Sequence, residues 1–250
     1  MQRGRAITRT LGADQAVRNR PFTSPSLYGR DLTILGYILE DLRTLVGEAR
    51  RGVVTVAAHS PVEWTVHGLR RRTIVCELEP LARGTTLCVV GFFGDRHPDR
   101  DLQPLEDANA DIVLEFRNFP GILSYSSMEL PDGNWANLVL HDVPESSERW
   151  RQGERHARAS TELAPQYYRS VRIHTGTLPG GVVGTRPIEL SRTKYWDFTS
   201  PRPWQAVREL SQPIVPRPVT APTRPAGRVP SIVAPATGTL AEPKGAPRRI

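Results

Sequence analysis

A chain of 250 residues, of which 38% are hydrophobic, is long enough to bury a core as one large or two small domains. No apolar run approaches the roughly 20 residues that a membrane-spanning helix needs, and no apolar signal core follows Arg3, Arg5 and Arg9, so we expect a cytoplasmic protein without membrane contacts. The net charge of +7 lies at the two ends, because residues 1–30 carry +5 and residues 201–250 carry +6. The 170 residues between them therefore carry −4, which argues against a basic groove for nucleic acid.

The first 84 residues divide into a polar arm and a segment with a helical period. Residues 1–30 are Arg-rich and polar, so we predict that they are disordered. Asp31 is placed to cap a helix that ends near Arg50, because apolar residues follow it at helical spacing. These apolar residues are Leu32, Leu35, Ile38, Leu39, Leu42, Leu45 and Val46. Strand-like runs complete residues 31–84, which we expect to extend the following sheet, with a degenerate second copy of the next unit as the alternative.

Residues 85–198 contain strands and helices in the order β-α-β-β-α-β, followed by one more strand. Residues 85–93 are apolar and rich in β-forming residues, and the helical spacing that begins at Leu105 stops at Pro120 and Gly121. A hairpin, a second helix and two final strands follow at 123–130, 135–141, 146–163, 170–176 and 187–198. This order predicts an α+β protein with a ferredoxin-like core.

The composition of the chain changes after residue 198. Residues 201–250 contain 11 of the 23 prolines and no sustained apolar period, so burial cannot offset the entropy of ordering them. We therefore predict that residues 199–250 form a disordered tail, from which a short helix docks on the core through Trp204 and Leu210.

The order of elements, with Pro120 and Gly121 after the first helix and Trp150 on the second, resembles the antibiotic biosynthesis monooxygenase family of dimeric α/β barrels. The resemblance covers about 110 of the 250 residues. Within that family, the length, the Arg-rich and Pro-rich flanks and the block from Arg70 to Thr86 are most similar to the ring-opening oxygenases of the jadomycin, gilvocarcin and kinamycin angucycline pathways.

The resemblance implies an oxygenase that oxidises and opens a quinone or hydroquinone ring of a polycyclic aromatic polyketide. It also implies reduced flavin, as FADH2 or FMNH2, as a cosubstrate that a separate flavin reductase delivers in trans. Ferredoxin-like units of this kind expose one sheet face that a second copy closes, so we expect a homodimer.

Two of the predicted strands carry polar residues in alternation. Trp135 and Asn137 share one face of the first strand, and Arg172 and His174 share one face of the second. We predict that all four lie on one sheet face and line a pocket. The alternative is that this face is solvated or forms a dimer surface.

The second helix provides the other group of candidates, because Trp150, Gly153, His156 and Ser160 fall near one helical stripe. The resemblance places substrate contacts on this stripe. In the resulting scheme His156 or His174 is the general base, and Arg172 and Asn137 hold developing oxyanion charge. The substrate contacts are Trp135, Trp150, Tyr125 and Ser160, of which the aromatic residues stack on the substrate rings.

Several familiar site patterns are missing from the sequence. No GxGxxG motif follows a strand, and no HExxH or CxxC spacing indicates a metal site, so we predict no bound metal. In the heme-degrading branch of the superfamily a His stands ten residues after the helical Trp, where this chain has Ser160. Heme binding therefore remains a lesser alternative, behind a non-catalytic protein that binds a polyketide or guides its cyclisation.

Overall fold

A computed structural model describes residues 8–101, 103–200 and 203–214, whose strands form one nine-stranded sheet. The strands are β1 (Thr8–Thr10), β2 (Pro61–Val66), β3 (Leu69–Val75), β4 (Leu87–Arg96), β5 (Ile122–Glu129), β6 (Trp135–His141), β7 (Tyr168–Leu178), β8 (Glu189–Asp197) and β9 (Trp204–Ile214). The helices are α1 (Leu27–Arg50), α2 (Leu78–Leu81), α3 (Gln103–Glu115), α4 (Pro144–Arg151), α5 (Glu154–Arg158) and α6 (Ala164–Tyr167), with a π-helical turn at Ala159–Leu163.

The strands follow the order β1-β9-β8-β7-β4-β6-β5-β3-β2 across the sheet. The four central strands, β7-β4-β6-β5, come from the predicted β-α-β-β-α-β segment and pair antiparallel with their neighbours. Outside them, β3 pairs antiparallel with β5 and β2 pairs with β3. The segment 31–84 therefore adds two strands to one side of the sheet, and the chain has the predicted α+β class.

Helix α1 lies across one face of the sheet, which we call the α1 face. All seven residues of the predicted apolar stripe are buried there, and together with leucine and valine side chains from the central strands they form the largest hydrophobic cluster. The helix approaches the sheet closely at Gly91, where a Cβ atom would lie only 2.8 Å from Leu35 Cδ1. A side chain at position 91 would therefore push α1 away from the sheet.

The predicted start of α1 is wrong. The helix begins at Leu27, so Asp31 lies one turn inside it and is not an N-cap. Its side chain is fully buried against the sheet. A carboxylate in that position requires partners from other strands, because burying an unpaired charge is costly.

Helices α3 to α6 cover the opposite side of the sheet, which we call the α3–α6 face. A second hydrophobic cluster forms there around Phe116, Tyr125, Val139 and Trp150. Neighbouring side chains on β6 point to opposite faces of the sheet, since Leu138 and Leu140 belong to the cluster under α1 and Val139 belongs to this second cluster. Both faces of the central strands therefore carry helices from the same chain, and α1 occupies the face that a second copy was expected to close.

The predicted disorder at both ends is wrong for the described residues there. β9 lies within the predicted tail 199–250 and pairs antiparallel with β8, while β1 lies within the predicted disordered arm 1–30 and pairs parallel with β9. No short helix forms at Trp204 and Leu210, since both belong to β9. Residues 1–7 and 215–250 lie outside the described residues. Across the described ranges, no helix is both long and apolar enough to cross a membrane.

Candidate functional site

The predicted polar stripe is divided between the two faces of the sheet. Phe93 on β4 pairs with Ala136 on one side and with Arg172 on the other, so Ala136 and Arg172 share the α1 face. Trp135 and Asn137 therefore point to the α3–α6 face, whereas Arg172 and His174 point to the α1 face. The alternation within each strand was predicted correctly, but the relation between the two strands depends on their register with β4.

A buried ion network lies beneath α1, centred on Asp31. Arg172 binds both oxygens of this carboxylate, through Nε and Nη2 at 3.0 Å each, and His174 Nε2 lies 2.9 Å from Oδ2. Burial raises the pKa of Asp31, but the hydrogen bond from His174 and the charge of Arg172 outweigh it, so the pKa lies below its usual value. The carboxylate is therefore charged and paired at neutral pH.

His174 is enclosed within this network. Its Nδ1 lies 2.8 Å from the Thr193 hydroxyl, and the rings of Tyr28 and Phe93 flank the imidazole at centroid distances of 5.7 and 5.5 Å. Only 1% of the residue is exposed and both ring nitrogens are engaged. His174 is thus placed to orient Asp31, and a ligand has no direct path to it, which argues against the predicted role as general base.

Three of the predicted contacts meet on the α3–α6 face. Trp150 packs edge-on against His156 at 4.5 Å between ring centroids and against Phe116 at 5.6 Å, and Phe116 in turn lies 5.4 Å from Tyr125. Trp150 and Tyr125 are buried, whereas His156 is half-buried. This aromatic cluster brings Trp150 and His156 together, as the stripe on the second predicted helix indicated, and adds Tyr125 from β5.

A group of polar and aromatic side chains adjoins the aromatic cluster between α3 and the sheet, and we call it the polar-aromatic floor. It consists of Arg72, Phe92, Asn109, Tyr125, Asn137 and Tyr168. The Asn109 amide hydrogen-bonds the Tyr125 hydroxyl at 3.2 Å and, turned so that its oxygen faces Arg72, accepts from Nη2 at 2.7 Å. The Arg72 guanidinium also lies 5.9 Å from the Tyr125 ring.

Tyr168 forms the far side of the floor. Its ring lies 5.6 Å from the ring of Phe92, and a Cβ atom at Gly94 would come within 2.3 Å of it, so glycine is required at that position. Burial raises the pKa of both Tyr168 and Tyr125, which keeps the two phenols protonated and able to donate. The floor thus offers neutral hydroxyl donors, one guanidinium and aromatic surface.

Helix α3 covers this floor loosely. None of its described residues is fully buried, although Ile112 and Val113 pack against the aromatic cluster. An amphipathic helix on a sheet normally seals an apolar stripe. Here the sheet beneath it presents polar and aromatic groups, which suits a ligand between helix and sheet.

Several buried nitrogens around the floor lack hydrogen-bond partners among the described residues. They are Arg72 Nε, Trp150 Nε1 and His156 Nδ1. Burial, together with the charge of Arg151, lowers the pKa of His156, so the imidazole is neutral at neutral pH and able to accept a proton. Such unpaired groups are uncommon in folded proteins, and a water molecule or a ligand can complete their hydrogen bonds.

Two of the predicted residues lie at the margin of this arrangement. Ser160 is exposed and its hydroxyl donates to the Ala157 carbonyl at 2.9 Å, so the structure does not bring it to the aromatic cluster and its substrate contact stays a prediction. Trp135 lies at the start of β6, where the Arg70 guanidinium stacks 5.1 Å from its ring centroid. Arg72, Asn109, Tyr168 and Asp31 carry no local signal that predicts a role in a site, apart from the run Arg70–Arg72, which could draw attention to one of them.

The burial of His141 on the α3–α6 face predicts how the stability of the protein depends on pH. It is fully buried, neither ring nitrogen has a partner among the described residues, and burial lowers its pKa to about 4. Below pH 6.5 the unfolded chain binds a proton that the folded chain does not, so the free energy of unfolding falls by roughly 2 kcal/mol between pH 6.5 and 5. We expect His141→Leu to remove this part of the pH dependence, as measured by urea unfolding at both pH values. An unchanged slope would show that His141 is hydrated in the folded protein.

No protein-family model matches the chain, and no curated protein matches it. Among solved structures the chain is similar to protein SO0527 from Shewanella oneidensis, with 12% identity and a TM-score of 0.34 over 38% of this chain and 93% of that chain. A similarity at that level supports no conclusion about function. Within the described residues, no group of three or more His, Cys, Asp or Glu side chains is placed to hold a metal ion.

Proposed function

We propose that the chain is an oxygenase of aromatic polyketide biosynthesis that oxidises and opens a quinone or hydroquinone ring of an angucycline-type substrate with dioxygen. The proposal includes a ferredoxin-like core of the dimeric α/β-barrel kind, for which the central strand order β7-β4-β6-β5 is support, with a second copy pairing outside the face that α1 covers. The polar-aromatic floor beneath α3 is the observation that carries it. A flat phenolic substrate needs aromatic surface and a few well-placed donors, and the floor supplies both.

The residues of the floor have separable roles in this proposal. Tyr125 and Tyr168, as neutral phenols, donate hydrogen bonds to substrate oxygens, and Arg72 stabilises the negative charge of a deprotonated phenol. His156 Nδ1 accepts the phenolic proton, because the imidazole is neutral and unpaired there. Asn137 on β6 is half-buried and pairs with Phe92 on β4. Its role in this proposal is to orient the substrate rather than to move a proton.

Reduced flavin, which the sequence resemblance implies as a cosubstrate, needs a flat surface for its rings and a cation for its phosphate. The rings of Phe92 and Tyr168 and the Arg72 guanidinium offer both. When bound, reduced flavin supplies electrons that activate dioxygen. In this proposal a separate reductase delivers FADH2 or FMNH2 to the floor.

The decisive experiment follows dioxygen consumption by the full chain with enzymatically regenerated reduced flavin and 1,4-dihydroxynaphthalene. We expect uptake above the rate of flavin and hydroquinone autoxidation, and a loss of about 100-fold in His156→Gln, since a positioned base contributes roughly that factor or more. His67→Gln is the matched control, because His67 is exposed in the turn after β2. Equal rates in His156→Gln and the wild type would reject the assigned base.

One observation favours a second candidate function. Side chains fill the space around Trp150, which touches Phe116, His141 and His156. A non-catalytic protein that binds a polyketide or guides its cyclisation would need the floor but no proton acceptor. In that case the hydroquinone would bind without any dioxygen uptake above background, and His156→Gln would leave its affinity unchanged.

A further inference from the structure

A cavity of about 230 Å³ opens on the α1 face, away from the polar-aromatic floor. It lies between the start of α1, the adjoining ends of β4 and β7, and the turn that joins β5 to β6. Its principal lining residues are Phe22, Leu27, Phe93, Leu130, Trp135 and Arg172. A wider groove of about 480 Å³ shares Arg30 and Leu130 with this cavity and extends along α1.

The walls of the cavity are aromatic and are held in place by other contacts. Phe93 packs against the His174 imidazole at 5.5 Å and lies 5.4 Å from the Arg172 guanidinium, whereas Trp135 borders the cavity only at the start of β6, with its ring on the other face. Phe22 packs edge-on against Trp204 at 6.4 Å. Aromatic rings fixed in this way form a pre-organised surface for a flat apolar molecule.

One hydrogen-bond donor is available at the cavity wall. Arg172 uses Nε and Nη2 on Asp31, and its Nη1 has no partner in the described part of the chain. The side chain is 14% exposed, at the surface that lines the cavity. Because Asp31 fixes the plane of the guanidinium, Nη1 is a donor of fixed direction.

The charges around the cavity determine the kind of acceptor that fits. The positive charge of Arg172 is already neutralised by the buried carboxylate of Asp31. Asp95 and Asp132 also line the cavity, and Arg30 lies 3.8 Å from Asp132. Asp95 is paired with Arg169 at 2.8 Å, so neither an uncompensated cation nor an uncompensated carboxylate remains among the described lining residues. An anionic ligand would find no free cation to offset the loss of its hydration, whereas a neutral carbonyl oxygen needs only a hydrogen-bond donor.

We propose that this cavity binds a neutral, planar aromatic ketone or quinone, whose carbonyl oxygen accepts a hydrogen bond from Arg172 Nη1 while its rings lie against Phe22 and Phe93. His174 and Asp31 are positioning residues, since they fix Arg172 without touching the ligand. This inference does not depend on the oxygenase proposal, because the cavity and the floor lie on opposite faces of the sheet.

Three related probes test the inference on the full chain without flavin. 9-Fluorenone carries one carbonyl, fluorene lacks it, and 9-fluorenone-4-carboxylate adds a negative charge. We expect fluorenone to bind about 10-fold more tightly than either of the others, because a hydrogen bond to a charged donor contributes roughly this factor. Quenching of tryptophan fluorescence and isothermal titration calorimetry measure the three affinities.

Three variants locate the site and assign its donor. Arg172→Met should weaken fluorenone about 10-fold and leave fluorene unchanged, and Leu27→Trp should weaken both by filling the cavity from its rim. Asp132→Asn should strengthen only the carboxylate probe. Because Arg172→Met removes a buried partner, its folding is checked by thermal unfolding, and Leu27→Trp keeps the test valid if that variant is unfolded.

Two results would overturn the inference. One is equal affinity for fluorenone and fluorene, which would remove the role of Arg172 Nη1. The other is fluorenone binding that Leu27→Trp leaves unchanged, which would place the probe elsewhere on the protein. Failure of the dioxygen experiment affects neither measurement, so the two proposals stand or fall separately.

Discussion

Replacing Asp31 with Asn is expected to lower the free energy of unfolding by about 3–5 kcal/mol, because it removes one partner of a buried charge network and leaves Arg172 uncompensated. The carboxylate binds Arg172 through two hydrogen bonds of 3.0 Å and His174 through one of 2.9 Å, with 0% of its side chain exposed. Urea unfolding at pH 7 measures the loss. Glu148→Gln is the control, since the Glu148–Arg151 pair is exposed and contributes about 0–1 kcal/mol.

The same variant makes a prediction about pH. The folded pKa of Asp31 lies below its unfolded value of about 4, so its contribution is fully present above that value and is lost as the pH falls through the folded pKa. The stability difference between wild type and Asp31→Asn should therefore stay constant from pH 7 to 5 and shrink in more acidic solution. A loss below about 1 kcal/mol at pH 7 would mean that the network is hydrated.

Local sequence rules describe α1 well and its buried carboxylate poorly. The apolar stripe could be predicted because it follows from helical spacing alone, and every member is buried. Asp31 was taken as a cap because an Asp before an apolar run commonly has that role. Its partners Arg172 and His174 lie 141 and 143 residues away along the chain, and no local pattern reports contacts over such a distance.

The candidate site shows a second limit of sequence-based inference. Alternation placed Trp135 with Asn137 and Arg172 with His174 correctly, but the two pairs lie on opposite faces because Asn137 pairs with Phe92 of β4 and Arg172 pairs with Phe93. A shift of one residue in pairing reverses every side chain of a strand. Trp150 and His156 could be brought together in advance because they fall on one helical stripe, whereas their link to Tyr125 runs through Phe116 and depends on tertiary packing.

Arg208→Met is expected to destabilise the fold by about 3 kcal/mol and to release the segment that precedes α1. This guanidinium is fully buried. It donates to the carbonyls of Gly12 and Thr23 at 3.0 Å each, to the Gln15 carbonyl, and to the hydroxyls of Tyr28 and Tyr195 at 3.1 and 2.6 Å. Methionine fills similar space but leaves the buried acceptors unpaired, and each unpaired acceptor costs about 1–3 kcal/mol. Part of this cost is offset because the variant no longer buries a charge.

Urea unfolding measures the stability of the whole protein, and limited trypsin digestion measures how well the segment before α1 is held in place. Cleavage after Arg18 should become much faster in Arg208→Met, because this one side chain ties the carbonyls of Gly12, Gln15 and Thr23 to β9. Arg192→Met on the neighbouring strand is the control, since Arg192 is 45% exposed and pairs with the exposed Glu209. If cleavage and stability in Arg208→Met match this control, pairing of β1 with β9 and burial of Leu11 are sufficient to hold the segment.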